Sequence, residues 1–214
     1  WGLPLNLHSG LSIMAAKTHP LKKVRSVSLL RPAFNWVRTW GSWQLQEERF
    51  ALFCETMVPG WGRVLLVNTH LHHGIEATPK LLEQIDKLSS ADELHESFFS
   101  ELKDRIYRPD KRRRSELAIL LKVVDELESR YAGVVLCGDF NAEPTNGIFD
   151  ELKSRGFRDA WAEAHPDLAG LTYDKDKNPA NHKLQERFPV QLMVEDLTFS
   201  ADTKEKLFSL ARTH

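Results

Sequence analysis

The run Val134-Val135-Leu136-Cys137-Gly138-Asp139-Phe140-Asn141-Ala142-Glu143-Pro144 constrains the fold more than any other stretch of the chain, because an apolar, branched segment stops abruptly at a carboxylate and a carboxamide two residues apart. Continued strand alternation places Asp139 and Asn141 on one face. At a strand end that face opens into a cleft, where Asp139 can hold a hard cation through oxygen while Asn141 donates to a phosphate or another anion. The pairing points to phosphoester chemistry. A plain turn accounts for the same residue types, since Gly, Asp, Asn and Pro are the usual turn formers. The complete string, with its Pro three residues beyond Asn141, is far rarer by chance than a bare Asp-x-Asn.

Further upstream, short strands are expected at 10–16, 24–30, 49–58 and 62–69, all rich in branched and aromatic residues. Pro59-Gly60-Trp61-Gly62 reads as a turn that makes the last two a hairpin. From Pro79 to Arg108, apolar residues at helical spacing predict two amphipathic helices broken near Ser89-Ser90, the second capped by Asp92. A third helix is expected from Asp110 to Arg130, with Leu117, Leu120, Leu121, Val124 and Leu127 on one face. Arg112, Arg113 and Arg114 then fall in its first turn, an unfavourable place for cations beside the helix dipole. Such a cluster is a candidate phosphate contact, although charge runs are usually solvated faces. A short helix is predicted over 146–155, loop with strand fragments to Tyr173, polar loop over 174–189 and a last helix over 202–212.

The chain has 214 residues, 42% hydrophobic and 28% charged, the size and composition of one globular domain. Its net charge of -1 gives no global attraction to nucleic acid, so phosphate binding must come from local clusters or a metal. Cys54 and Cys137 both sit in apolar runs and read as core residues. Trp36, Trp40, Trp43 and Trp61 likewise read as core, with a stacking surface for bases as the alternative. No apolar run approaches a membrane span and no signal peptide is visible, which leaves localisation and oligomeric state open.

Taken with the strand Val64-Leu65-Leu66-Val67-Asn68-Thr69-His70-Leu71, the Gly-Asp-Phe-Asn string resembles the endonuclease/exonuclease/phosphatase superfamily with the DNase I-like fold. Gly10-Leu11-Ser12-Ile13-Met14, Gly156-Phe157-Arg158-Asp159-Ala160 and Leu171-Thr172-Tyr173 are looser matches. The resemblance implies a four-layer α/β/β/α sandwich of two facing mixed sheets, occupied by a single domain over 1–214 with a helical insertion at about 75–110. It also implies metal-dependent hydrolysis of phosphodiesters or phosphomonoesters. His70 would bind or protonate the phosphate, Asp139 would orient the water and touch the metal, and Asn141 would hold the phosphate and help with the metal. Asn178, in the polar loop, is a weaker substrate-binding candidate, and Asn181 a similar one. The implied cofactor is Mg²⁺ or Mn²⁺. The implied partner is a phosphoester: nucleic acid, a phosphorylated small molecule or a lipid headgroup.

Two landmarks of that family have no counterpart here. An early strand-end glutamate would precede the Gly10 strand, and a late Ser-Asp-His would close the site; Val194-Glu195-Asp196-Leu197-Thr198-Phe199 is a faint echo of the strand before it. The expectation is therefore a fragment incomplete at both ends, with the activity belonging to the complete protein. A catalytically inactive binding module on the same fold is the first alternative. A zinc amidohydrolase is the second, since His70-Leu71-His72 ends a strand in His-x-His. Later histidines that follow apolar strands are lacking for it.

Overall fold

The computed structural model of the protein describes residues 11–29, 49–74, 96–168 and the isolated positions 77, 79, 82, 83, 86 and 170. Expectations for Trp36, Trp40, Trp43, most of the Pro79 to Asp92 stretch, Thr172-Tyr173, Asn178, Asn181, the 194–199 echo and the 202–212 helix lie outside the described residues. The chain divides into two compact units, Trp1–Glu76 with Ile106–Ile148, and Ala77–Arg105 with Phe149–His214.

The first unit holds a four-stranded mixed sheet. Strands β1 (Lys22–Ser28), β2 (Phe50–Val58), β3 (Gly62–His70) and β4 (Gly133–Asp139) lie side by side in sequence order. The pairs β1–β2 and β2–β3 are antiparallel, and β3–β4 is parallel. The expected hairpin is present: Trp61 N–H donates to Val58 O at 3.0 Å, and Gly60 takes φ 79°, which a side chain would oppose. Trp61 is 75% exposed at that turn, so it is not a core residue. Residues 11–16 form no strand, and there Ser12 O accepts from Asn68 Nδ2 at 3.0 Å.

One face of the sheet is dry. Ala51, Phe53, Leu65, Val67 and Thr69 are fully buried, and the register aligns Ala51 with Thr69 and Phe53 with Val67. Helix α1 (Glu96–Leu127) contributes the matching stripe, with Leu117, Leu120, Leu121, Val124 and Leu127 at 0–2% exposure. Each of these larger side chains contributes on the order of 1.5–3 kcal/mol by leaving water. Helix α1 differs from the expected pair of helices, because it runs unbroken through Pro109. An interior proline removes one backbone bond and costs about 3 kcal/mol. Buried Ile106 before it and the leucine stripe after it hold the helix through that defect. The Pro109 ring also lies on Gly74, where even an added Cβ would come within 2.6 Å. Because α1 starts at Glu96, the three arginines sit well past its first turn and the expected dipole penalty does not arise.

A 3-10 turn at Glu128–Arg130 leads α1 into β4. Cys54 is buried, whereas Cys137 is exposed on the edge strand, its thiol donating to Val67 O at 3.4 Å. Helix α2 (Gly147–Ser154) follows the Gly-Asp-Phe-Asn string as expected. In the second unit a short helix α3 (Ala160–Ala164) stands where loop was expected, and Asp159 caps it through Oδ1 with the Trp161 and Ala162 amides. Among the described residues no helix is long and apolar enough to cross a membrane.

Candidate active site

Strands β3 and β4 end together. Their parallel register sets Asn68 beside Cys137, Thr69 beside Gly138 and His70 beside Asp139. Since Thr69 points into the dry face, His70 and Asp139 emerge on the opposite one. His70 Nε2 lies 3.8 Å from Asp139 Oδ2, with 37% and 63% of the two side chains exposed. The pair is close enough to share a bound group and open enough to receive one.

Gly138 permits this approach. Its φ is 133°, and an added Cβ would fall 1.9 Å from Thr69 O. Past it the strand ends. Asn141 lies outside β4 with φ 49°, a left-handed conformation that Asn tolerates better than most residues. It reaches the site through a turn rather than by strand alternation: Asn141 N–H donates to Asp139 Oδ1 at 2.9 Å, and Asn141 Nδ2 donates to Leu71 O at 2.8 Å. Leu71 N–H donates in turn to Asp139 O at 2.9 Å. The two bonds to Leu71 stitch the strand ends together, and the bond from Asn141 N–H to Asp139 fixes the turn. Asn141 keeps its side-chain oxygen and a second amide hydrogen for other work. Asn68, on the same face as His70, spends its amide on Ser12 O.

Beneath the segment that follows His70 lies a cluster of charges. His72 N–H donates to Glu116 Oε2 at 2.6 Å, and Arg113 Nη1 donates to His72 O at 3.4 Å and to Gly74 O at 3.5 Å. Arg113 and Glu116 are both fully buried. Arg113 Nη2 faces Asp110 Oδ1 at 3.6 Å, a charge attraction rather than a hydrogen bond, and Arg114 Nε donates to Asp110 Oδ2 at 2.8 Å. Arg49, 4% exposed, donates through Nη2 to His73 Nδ1 at 2.9 Å. Helix α1 thus grips the backbone just after His70. Arg113 was read in the sequence only as part of a candidate phosphate-contacting cluster and Glu116 not at all, although both fall on the helical stripe of Leu117, Leu120 and Val124, where a charge must find partners.

This cluster shifts its ionisations. Burial pushes the Glu116 carboxyl up, against the lowering effects of the His72 amide and of Arg49, Arg112 and Arg113. Burial, then Arg112, His73, Arg49 and Arg113, push the His72 imidazole down from 6.5 to about 4. The folded protein keeps His72 neutral where the unfolded chain would protonate it, so this group's contribution is intact above pH 6.5 and is lost as pH falls toward about 4. Discounted for partial exposure, the loss is about 1–2 kcal/mol. Thermal melts at pH 7 and pH 4.5 should show a smaller drop for His72→Gln than for the wild type. Identical drops would refute the assignment.

A second expectation concerns Glu116. Glu116→Gln retains an acceptor for His72 N–H and should cost within about 1 kcal/mol, whereas Glu116→Leu orphans a buried amide and should cost about 1–3 kcal/mol more. Urea unfolding of both variants tests this, and equal costs would mean that the bond holds nothing.

Among the described residues no three His, Cys, Asp or Glu side chains converge. Among the described residues, the oxygen donors that the two strand ends and their turn bring together are Asp139 and Asn141. One carboxylate suits Mg²⁺ or Mn²⁺, which keep several waters and take further oxygens from a phosphate substrate.

No curated protein and no solved structure matches the chain. Comparison with protein-family models matches residues 20–192 to the Endonuclease/Exonuclease/phosphatase family. That span contains both strand ends, the stitched turn and helix α1, and the chain belongs to that family.

Proposed function

We propose that the protein hydrolyses phosphoester bonds in a divalent-metal-dependent reaction centred on His70, Asp139 and Asn141. The family is generally one of hydrolytic phosphoesterases, which supports the reaction class. The observation that carries the assignment of residues is the exposed His70–Asp139 pair at the ends of two parallel strands. In-line hydrolysis needs a positioned water, neutralisation of the phosphoryl oxygens and a proton for the leaving oxygen. Asp139 orients the water and accepts its hydrogen bond. His70 donates to the phosphoryl group or to the leaving oxygen, work that suits an imidazole near neutral pH. The second amide hydrogen of Asn141 contacts a phosphoryl oxygen, and its turn holds that group in place. Mg²⁺ or Mn²⁺, held by Asp139 with Asn141 beside it, would supply charge neutralisation.

The test is release of p-nitrophenolate from bis-p-nitrophenyl phosphate, together with cleavage of a mixed DNA and RNA pool, with Mg²⁺, Mn²⁺ or EDTA. Hydrolysis in either metal that EDTA abolishes is expected. Phosphate binding without turnover in any metal would overturn the catalytic reading and leave a binding module.

A further inference from the structure

The backbone groups of the two residues after His70 are all bonded. Leu71 N–H donates to Asp139 O at 2.9 Å, and Leu71 O accepts from Asn141 Nδ2 at 2.8 Å. His72 N–H donates to Glu116 Oε2 at 2.6 Å, and His72 O accepts from Arg113 Nη1 at 3.4 Å. The first pair of bonds reaches the turn that carries Asp139 and Asn141, and the second pair reaches helix α1. A strand end ordinarily frays, because its last residues lack the ladder bonds that hold the interior. Here the ladder ends at His70 opposite Asp139, and the chain just beyond it is held from two sides.

Buried charges are a costly means of holding a backbone. Arg113 and Glu116 lie on one face of α1, both fully buried, and ions taken out of water need partners that replace it. That replacement is incomplete. Among the described residues, Glu116 Oε1, Arg113 Nε and Arg113 Nη2 have no hydrogen-bond partner, and Asp110 offers Nη2 only attraction at 3.6 Å. Leu117 and Leu120 fill the same stripe with no such penalty. What the ions supply and leucines cannot is direction, since charge-assisted hydrogen bonds are shorter and stronger than neutral ones. A pair that stabilises the fold poorly yet fixes successive peptide groups beside His70 is suited to holding a reacting side chain in place.

We propose that Glu116 and Arg113 are positioning residues for the hydrolytic reaction, clamping the His72 peptide groups to α1 and thereby holding His70 at its 3.8 Å separation from Asp139. The effect on turnover rests on the phosphoesterase reading. The hold on the end of β3 does not. A misplacement of about 1 Å at a reacting group can lower a rate about 10²-fold, so a clamp remote from the chemistry can govern it.

Turnover of bis-p-nitrophenyl phosphate is compared in Glu116→Leu, Glu116→Gln, Arg113→Lys and a control, Val124→Ala. Val124 is buried on the same helix, about 12 Å further along its axis. Per folded molecule, Glu116→Leu should lower kcat about 10- to 100-fold with KM within about twofold, the pattern of a lost positioning contact. Glu116→Gln keeps an acceptor for His72 N–H and should stay within about threefold of the wild type, while Val124→Ala should match it. Arg113→Lys keeps the charge without the fork that spans His72 O and Gly74 O, and should lose about three- to tenfold; it replaces Glu116→Leu if that variant does not fold. In the His70→Ala protein, Glu116→Leu should cost less than about twofold more, because a group already absent cannot be misplaced.

Amide exchange supplies a readout that needs no turnover. The Leu71 amide should exchange about tenfold faster or more in Glu116→Leu, and at the wild-type rate in Glu116→Gln and Val124→Ala. Equal kcat losses in Glu116→Leu and Glu116→Gln, or in Glu116→Leu and Val124→Ala, would overturn the proposal. So would a Glu116→Leu loss undiminished in the His70→Ala protein, which would route the effect through another group. A wild type that hydrolyses nothing would remove the phosphoesterase reading. The Leu71 exchange rates would then decide alone whether the clamp holds the end of β3, and unchanged exchange in Glu116→Leu would overturn it.

Discussion

Asp139→Asn should abolish metal-dependent hydrolysis, lowering kcat/KM by about 10³-fold or more, while the protein melts within about 2 °C of the wild type. The carboxylate is asked to orient the water and to hold the cation, two tasks that an uncharged amide performs poorly. Little of the fold depends on it. Its side chain is 63% exposed, and the hydrogen bond it accepts from the Asn141 amide can pass to the amide oxygen of Asn. Asp139→Ala is a harsher probe, since it also removes that acceptor and frees the turn at Asn141; the two variants separate charge from geometry. His70→Ala should lose less, on the order of 10²–10⁴-fold, the range for a general acid. Asp139→Asn should stay inactive at every pH tested, whereas His70→Ala keeps measurable turnover. Near-normal turnover by Asp139→Asn would remove Asp139 from the chemistry and leave it as a turn residue.

Much of this site could be read from the sequence because it is built from local rules. Alternating apolar residues place β2 and β3, and Pro59-Gly60-Trp61-Gly62 sets their hairpin, so the position of His70 at a strand end follows from pattern alone. The Gly-Asp-Phe-Asn string gives the end of β4 in the same way. What alternation could not supply was the route by which Asn141 arrives. Its left-handed backbone ends the strand at Asp139 and replaces a shared face with a hydrogen-bonded turn. The continuity of α1 was also hidden, because a proline at 109 is the usual sign of a boundary and only buried contacts on both sides outweigh it. Arg113 was read with its charged neighbours as a solvated cluster. Its place on the leucine stripe makes it a buried clamp on His72 and Gly74. Tertiary partners 39 and 41 residues away in sequence decide such cases, and local pattern does not contain them.

Gly138→Ala should be the most damaging small substitution in the first unit, costing several kcal/mol and lowering the yield of folded protein. Two independent obstacles act at the same atom. At φ 133° an L side chain strains the backbone by about 1–3 kcal/mol. The new methyl would also stand 1.9 Å from Thr69 O and 2.8 Å from Thr69 N, both backbone atoms of the neighbouring strand. A flexible side chain could swing away, but Thr69 is buried and its strand is paired on both sides. Relief can come only from parting β3 and β4 where they deliver His70 and Asp139. The variant should therefore lose hydrolysis even in the fraction that folds, because the 3.8 Å approach of those two side chains requires the strands to stay together. Gly156→Ala is the matched control. It has the same class of backbone, φ 85°, yet nothing lies within 4 Å of an added Cβ, so it should cost only the backbone strain. Chemical unfolding and turnover of the two variants measure the difference. Equal stability of the pair would show that the β3–β4 approach is not set by Gly138.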